Sequence, residues 1–364
     1  MTTDNRNAGS AFPLPTRIED ITAEWLTRAL RVWQPGVTVR GAQVLDVNHG
    51  TCTKIRVALD MDEAGKAAGI PERVMLKGGF EAHSRMMGYM HHEEVHAYAD
   101  VCPHSPLRFP TCWFSAFDEA QQQGIVIMED LVARGVTFQH PQRPQQPEDV
   151  ARRLTRLAQH HALRWNSPAF APGGQFDWVG NVADATYFST VFKPEIWAGY
   201  VNSARGAAAS VCFHDLDWMK AAMDKVNGLC RTLPVTLIHG DTHLGNLYID
   251  TDGEPGFFDS LPHIAPAMYE VSYHVTGALD VPVRRRHERA LVAHYREELI
   301  RCGVDAPSLD DFMHQFGCFL ANGYAIFLVN ASDFQPEAIN TAYTARFSSA
   351  MLDHDTIGLL EALP

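Results

Sequence analysis

"LIHGDTHLGNLYID", residues 237–250, sets two His, two Asp, an Asn and two Gly between short apolar runs. Leu237-Ile238 and Leu247-Tyr248-Ile249 read as two short strands, and Gly240 and Gly245 as turn residues between them. Asp241 and Asn246 stand five residues apart in the loop. A bland reading is available, with Asp241 in a plain turn and Asn246 as a cap. A chemical reading requires the rest of the chain to supply matching parts.

The chain has 364 residues, 46% hydrophobic and 20% charged, enough for one large or two modest domains. Its first sixteen residues, MTTDNRNAGSAFPLPT, have neither the basic start nor the apolar core expected of a leader. The most apolar run, GCFLANGYAIFLVN at 317–330, is shorter than the roughly 20 residues of a membrane span and carries Asn322, so it reads as a buried helix. Seven cysteines, widely spaced and without C-x-x-C, suit reduced thiols in a cytoplasmic protein rather than a zinc knuckle or disulfide frame. A formal net charge of −13 disfavours nucleic-acid binding, which needs basic surface. Neither a nucleic acid nor a membrane is expected as partner, and the oligomeric state is not legible.

The biased stretch QHPQRPQQPED, 139–149, reads as an exposed connection. Before it, strands are expected at 41–50, 53–61, 73–79, within 108–117 and at 124–131, with a helix over 81–101 after the third strand. After it helices dominate, at 147–165, 194–204, 215–231, 282–302 and 308–330, and the opening stretch is a strand-rich island among them. The expected division is residues 1–130 and 131–364.

D-x-x-x-x-N is the spacing at which a phosphoryl-transfer loop places a proton-accepting Asp and a magnesium-binding Asn. A carboxylate can orient an alcohol and take its proton; an amide oxygen can ligate Mg²⁺ without adding charge. Asp259 follows in GFFDS, where a second carboxylate would be the main anionic ligand of a hard cation. His239 and His243 have an H-x-x-x-H spacing, but the glycines argue against the helix that such a zinc site needs. Lys77, inside the apolar strand RVMLKGG, is costly there unless paired. Met87, Met90, Glu94, Tyr98 and Val101 recur at three- and four-residue steps, so Glu94 shares the apolar stripe and Glu93 does not. Glu94 is therefore the expected partner of Lys77. The alternative is a lysine at a strand end, pointing to solvent.

IHGDTHLGNLY followed by FFDSLPHIAPAMYEVSYHV resembles the kinase-like phosphotransferases that include aminoglycoside phosphotransferases, choline kinases and the ecdysteroid-kinase-like group. The resemblance covers roughly residues 20–350. It implies an α+β, protein-kinase-like bilobal fold, with a small β-rich N-lobe and a larger helical C-lobe. It implies that Asp241 is the catalytic base, that Asn246 and Asp259 bind Mg²⁺, and that Lys77 and Glu94 form the pair serving ATP or GTP. The turn VNHGTCTK, with Gly50, Thr51 and Thr53, would cover the phosphates, although it has one glycine and a plain turn explains it equally well. The backbone of Met128, Glu129 and Asp130 would meet the adenine edge; the two acidic side chains would face solvent, or Glu129 would bind ribose. Two departures stand out. Glu270 replaces an aspartate that braces the catalytic loop in relatives, a change a glutamate can absorb. Ser260 stands where an aromatic residue often follows the metal-binding aspartate. Neither H-R-D nor A-P-E is present, which disfavours a protein kinase.

The acceptor must be an alcohol or amine held against Asp241, and a small hydroxylated compound is expected. Residues 166–235 hold ten aromatic residues, among them Phe176, Tyr187, Phe188, Trp197 and Phe213, with nearly balanced charge. A polycationic aminoglycoside would call for surplus acids; this window suits a bulky, mostly apolar alcohol, sterol-like or aromatic. The same aromatics could instead pack the core, and an aromatic cage for choline stays open. His263, four residues past Asp259, is a candidate neighbour of the acceptor. The competing function is an idle kinase fold that binds a nucleotide or metabolite without transfer.

Overall fold

The computed structural model describes residues 11–50 and 52–364. The chain forms two compact units, Met1–Thr137 with Ile249–Leu261, and Phe138–Tyr248 with Pro262–Pro364.

The first unit runs α1 (Ala23–Arg31), β1 (Val39–Asn48), β2 (Thr53–Met61), α2 (Glu63–Ala67), β3 (Arg73–Gly78), α3 (Gly88–His96), β4 (Cys112–Asp118), β5 (Gln123–Glu129) and α4 (Leu131–Arg134). The five strands form one antiparallel sheet in the order β1-β2-β3-β5-β4. Strand alternation sends Ile55, Val57, Leu59, Val74 and Leu76 into a core shared with Trp25, Leu26 and Leu30 of α1. Thr22 caps α1 by accepting the Trp25 N–H. The other face puts Val126 and Met128 against Val95 and Tyr98 from α3 and its continuation. Gly124 allows that approach, since a Cβ there would lie 2.8 Å from the His91 Cβ. The expected single helix over 81–101 is broken: a 3-10 turn at Ser84–Met87 precedes α3, and Ala97–Val101 is π-helical. Its start has Gly88 and no side-chain cap.

The boundary expected at 130 falls later, after Thr137, and Ile249–Leu261 returns to the first unit. The cause is charge. Asp250, its side chain fully buried, accepts from Arg108 Nη1 at 2.7 Å and Arg134 Nε at 3.0 Å, while Asp259 pairs with Lys54 and Lys77.

At the boundaries stand β6 (Thr137–Phe138) and β8 (Leu247–Ile249), and the returning segment carries β9 (Pro255–Phe257). The second unit contains α5 (Pro147–Ala162), α6 (Tyr187–Val191), α7 (Pro194–Val201), α8 (Ala204–Ala207), α9 (Leu216–Thr232), β7 (Thr236–Ile238), β10 (His263–Ala265), α10 (Ala267–Ala278), α11 (Val281–Arg301), α12 (Leu309–Val329), α13 (Glu337–Asp353) and α14 (Thr356–Glu361). α12 spans the helix expected at 308–330; its 21 residues suffice in length and composition to cross a membrane, yet most are buried in this unit, as the buried-helix reading expects. β7 and β10 pair antiparallel, Ile238 opposite His263, and fix where the quoted loop begins. None of the seven cysteines is in a disulfide with another.

Candidate active site

The loop after β7 turns at Gly240, whose φ of +90° is a left-handed conformation that favours glycine. The turn is held from behind. Glu270, on the first turn of α10, accepts the His239 N–H at 3.1 Å and the Gly240 N–H at 2.8 Å. It also bonds His161 Nε2 at 2.9 Å, and His161 Nδ1 reaches Tyr295 Oη at 2.7 Å. Burial alone would raise the Glu270 pKa, but the His161 hydrogen bond and charge, the His239 charge and the backbone donor bring it down to about 2. The glutamate thus braces the loop as the resemblance implies for an aspartate.

The brace leaves the Asp241 side chain facing three partners. Asn246 Nδ2 donates to its Oδ2 at 2.9 Å and to its carbonyl at 3.1 Å. Tyr273 Oη donates to Oδ1 at 3.1 Å, and His243 Nε2 lies 3.4 Å from Oδ2. Burial pushes the carboxyl upward, yet His243 and the Tyr273 hydroxyl hold it below the usual aspartate range. Asp241 is therefore an ionised, oriented acceptor at neutral pH. His243 is placed by its own chain, since its Nδ1 accepts the Gly245 N–H at 3.0 Å. Sequence reasoning missed Tyr273, His243 and His161 as members of this network. Tyr273 stands three residues after Glu270, one helical turn along, which is a signal of proximity once Glu270 is placed at the loop.

The first unit assembles the second group. Lys77, 6% exposed, donates to Glu94 Oε1 at 2.5 Å and lies 2.9 Å from Asp259 Oδ1. The pairing with Glu94 is the one the helical stripe predicts; the solvent-facing lysine is excluded. Burial opposes the charge on Lys77, but Asp259 and Glu94 outweigh it and keep the ammonium protonated. Asp259 adopts a φ of +55°, a left-handed conformation that aspartate tolerates better than most residues. Its carboxyl is raised by burial and lowered further by Lys54 and Lys77, ending well below the ordinary range.

Taken singly, each predicted metal ligand has the chemistry for a hard cation: in the second unit Asn246 spends its nitrogen on Asp241 and no described residue donates to its Oδ1, and in the first unit Asp259 is a buried, ionised carboxylate, paired here with Lys54 and Lys77.

Three expectations change. Thr53 does not offer its hydroxyl to a phosphate: it is buried and donates to Glu81 Oε1 at 2.6 Å, which His49 Nδ1 also reaches at 2.7 Å. Gly50 lies in a bend ahead of this latch, and Thr51 lies outside the described residues. Asp130 does not face solvent. It is buried, pairs with Arg56 Nε at 2.9 Å and caps α4 through the Val132 and Ala133 N–H groups. Glu129 is likewise engaged: Arg134 Nη1 is 3.0 Å from both its carboxylate oxygens, and its N–H donates to the Thr111 carbonyl. Met128 pairs with Met75 on one side and Cys112 on the other.

Beside the loop the second unit carries a partly open cavity of about 160 Å³, lined in part by Gly240, Glu270, Tyr273 and His263. The aromatic window divides between both earlier readings. Phe176, Trp197 and Phe213 are buried in the core, whereas Tyr187 and Phe188 line the cavity.

No protein-family model and no curated protein sequence matches the chain. Solved structures do. Plasmodium vivax ethanolamine kinase is 12% identical with a TM-score of 0.50, over 85% of this chain and 81% of that one. Macrolide 2'-phosphotransferase MphH from Brachybacterium faecium is 11% identical with a TM-score of 0.46, over 89% and 97%. Wild-type aminoglycoside 2'-phosphotransferase-IIIa, in its GDP complex, is 10% identical with a TM-score of 0.48, over 91% and 99%. At these identities the likeness is one of fold: the chain is built on the kinase-like phosphotransferase fold that HGDTHLGN resembles.

Proposed function

We propose that this chain is a small-molecule kinase that moves the γ-phosphoryl group of ATP or GTP to a hydroxyl of a largely apolar compound. The observation that carries the reading is the Asp241 network. An ionised carboxylate, fixed by Asn246 and Tyr273 on a braced loop, is the group that orients an alcohol and receives its proton. In the proposed step the acceptor oxygen bonds to the γ-phosphorus while the bond from that phosphorus to the β–γ bridging oxygen breaks. The hydroxyl proton goes to Asp241. Lys77, kept charged by Glu94 and Asp259, serves the nucleotide phosphates. Mg²⁺, when bound, would be held by Asn246 and Asp259 and would supply charge neutralisation to the transferred group.

The cavity supports the acceptor class. Tyr187, Phe188, Met223 and Tyr269 supply apolar walls, and Glu270 is the one carboxylate among its described lining residues. That carboxylate is already engaged by His161, His239 and Gly240, so a polycation finds no free anion there. Asn322 supplies polarity: its Oδ1 accepts from Tyr269 Oη at 2.8 Å, which leaves its amide N–H groups for an acceptor oxygen. The compound would be an uncharged alcohol with a second oxygen.

An idle nucleotide-binding protein is the competing reading, favoured by the Glu81 latch on Thr53 and His49. Incubation with γ-labelled ATP or GTP and a panel of hydrophobic alcohols separates the two. Labelled product formed by the wild type and lost in Asp241→Asn supports the kinase. Equal product from both removes Asp241 from the chemistry.

A further inference from the structure

Lys54 stands directly opposite Lys77 across the β2–β3 ladder. Like charges directly opposite on one sheet face repel. Here both ammonium groups converge on Asp259: Lys77 Nζ is 2.9 Å from Oδ1 and Lys54 Nζ is 3.0 Å from Oδ2. Lys77 has a second carboxylate, Glu94, and its side chain is 7% exposed. Lys54 has Asp259 alone among the described carboxylates, and its side chain is 34% exposed. Its Nζ also lies 5.9 Å from the centre of the Phe258 ring, at the outer reach of a cation–π contact. The two lysines and two carboxylates sum to zero charge. Any cation that engages Asp259 therefore leaves Lys54 short of an anion, whereas Lys77 keeps Glu94.

We infer that Lys54 is a second phosphate-binding lysine, which exchanges Asp259 for phosphate oxygens of the nucleotide. The inference rests on the kinase reading and adds a residue to it. It also bears on the β1–β2 turn, which has one glycine and whose Thr53 hydroxyl is committed to Glu81 rather than offered to phosphate. Lys54 is the first residue after Thr53 on the same strand and brings a full charge from that position. A point charge on a flexible stem, one-third exposed, can follow an oxygen that moves.

The test titrates wild type, Lys54→Met and Lys54→Arg with ATP, ADP and AMP, each with Mg²⁺, by calorimetry. A direct ammonium–phosphate contact predicts that Lys54→Met weakens ATP and ADP binding roughly 10- to 100-fold. AMP, which lacks the β- and γ-phosphates, changes much less, and Lys54→Arg keeps most of the ATP affinity. A structural role alone would weaken all three nucleotides together. ATP affinity unchanged in Lys54→Met overturns the inference, and tighter binding would make Lys54 a guard of Asp259 instead. Thermal melting of each variant without ligand establishes that it is folded, and Lys54→Gln replaces Lys54→Met if the latter is not. Absence of nucleotide binding by the wild type would strike at the kinase reading; binding by the wild type with an indifferent Lys54→Met strikes at Lys54 alone.

Discussion

Asp241 makes more contacts than a turn aspartate needs, and each one bears on the charge it carries. Replacing it with Asn keeps the shape and removes the proton acceptor. Turnover should fall by roughly 10²- to 10⁴-fold while the nucleotide dissociation constant stays near the wild-type value, a pair of quantities read from steady-state kinetics and calorimetry. Tyr273→Phe removes one hydrogen bond to the charged carboxylate. Its loss should lower kcat by roughly 10-fold. Because that bond favours the ionised form, the Asp241 pKa rises in the variant, and the acidic limb of the kcat profile shifts to higher pH. An unmoved limb would show that Tyr273 merely packs, for instance through its stacking on Phe327 at 5.4 Å. The pairing of Lys77 with Glu94 was legible in the sequence because one elementary rule covers both: a charge inside an apolar strand or stripe must be paired. Lys54 was not, since a lysine on an alternating strand has the look of a solvated face and only the ladder register sets it against Lys77. Thr53 misled for the same reason: a hydroxyl near a turn reads as available until Glu81 is seen to take it.

At the scale of elements, the loop between β7 and β8 depends on α10. Glu270 ties the first turn of that helix to two loop N–H groups, and its depressed pKa makes the tie pH-dependent. The sign follows from its direction. A carboxyl at about 2 in the folded chain and 4.5 when free contributes stability that is fully present above pH 4.5. That contribution is lost as pH falls toward 2. The urea stability of wild type over Glu270→Gln should thus be greatest near neutrality, up to about 3 kcal/mol, and should shrink steadily below pH 4.5. A gap that holds constant down to pH 3 would deny the charge its role. Gly240→Ala tests the same loop from the backbone. At a φ of +90° an alanine is strained, by about 1–2 kcal/mol, and turnover should drop with little change in nucleotide affinity. The strong helices, α5, α9, α11 and α12, follow the expected spans within a few residues because each has a clear start signal, an early proline in α5 and α11 and a capping side chain in α9 and α12. α10 was absent from those expectations. Nearly every one of its residues is buried, so the polar face that marks a helix in sequence is missing. The short α6 and α8 are too brief for a period to show.

Across the whole chain, the arrangement of strands then helices was readable, and the division between units was not. Ile249–Leu261 belongs to the first unit through Asp250 and Asp259, contacts that join residues far apart in sequence and leave no local pattern. The acceptor class divides similarly. An aromatic-rich window could not say which rings pack the core and which line the cavity, and Tyr187 and Phe188 take the second part. The cavity predicts that uncharged aromatic alcohols bearing a second oxygen are phosphorylated in preference to kanamycin, and that Asn322→Leu raises KM for them with a smaller effect on kcat. Equal use of kanamycin by the wild type would place the acceptor elsewhere. Nucleotide binding comes before all of this. Calorimetric titration of ATP and GTP into wild type and Asp259→Asn, with and without Mg²⁺, should give Mg²⁺-dependent binding of at least one nucleotide by the wild type, weakened in the variant. No binding of either nucleotide, or binding indifferent to Mg²⁺ and to Asp259, would contradict the assignment of this chain as a kinase.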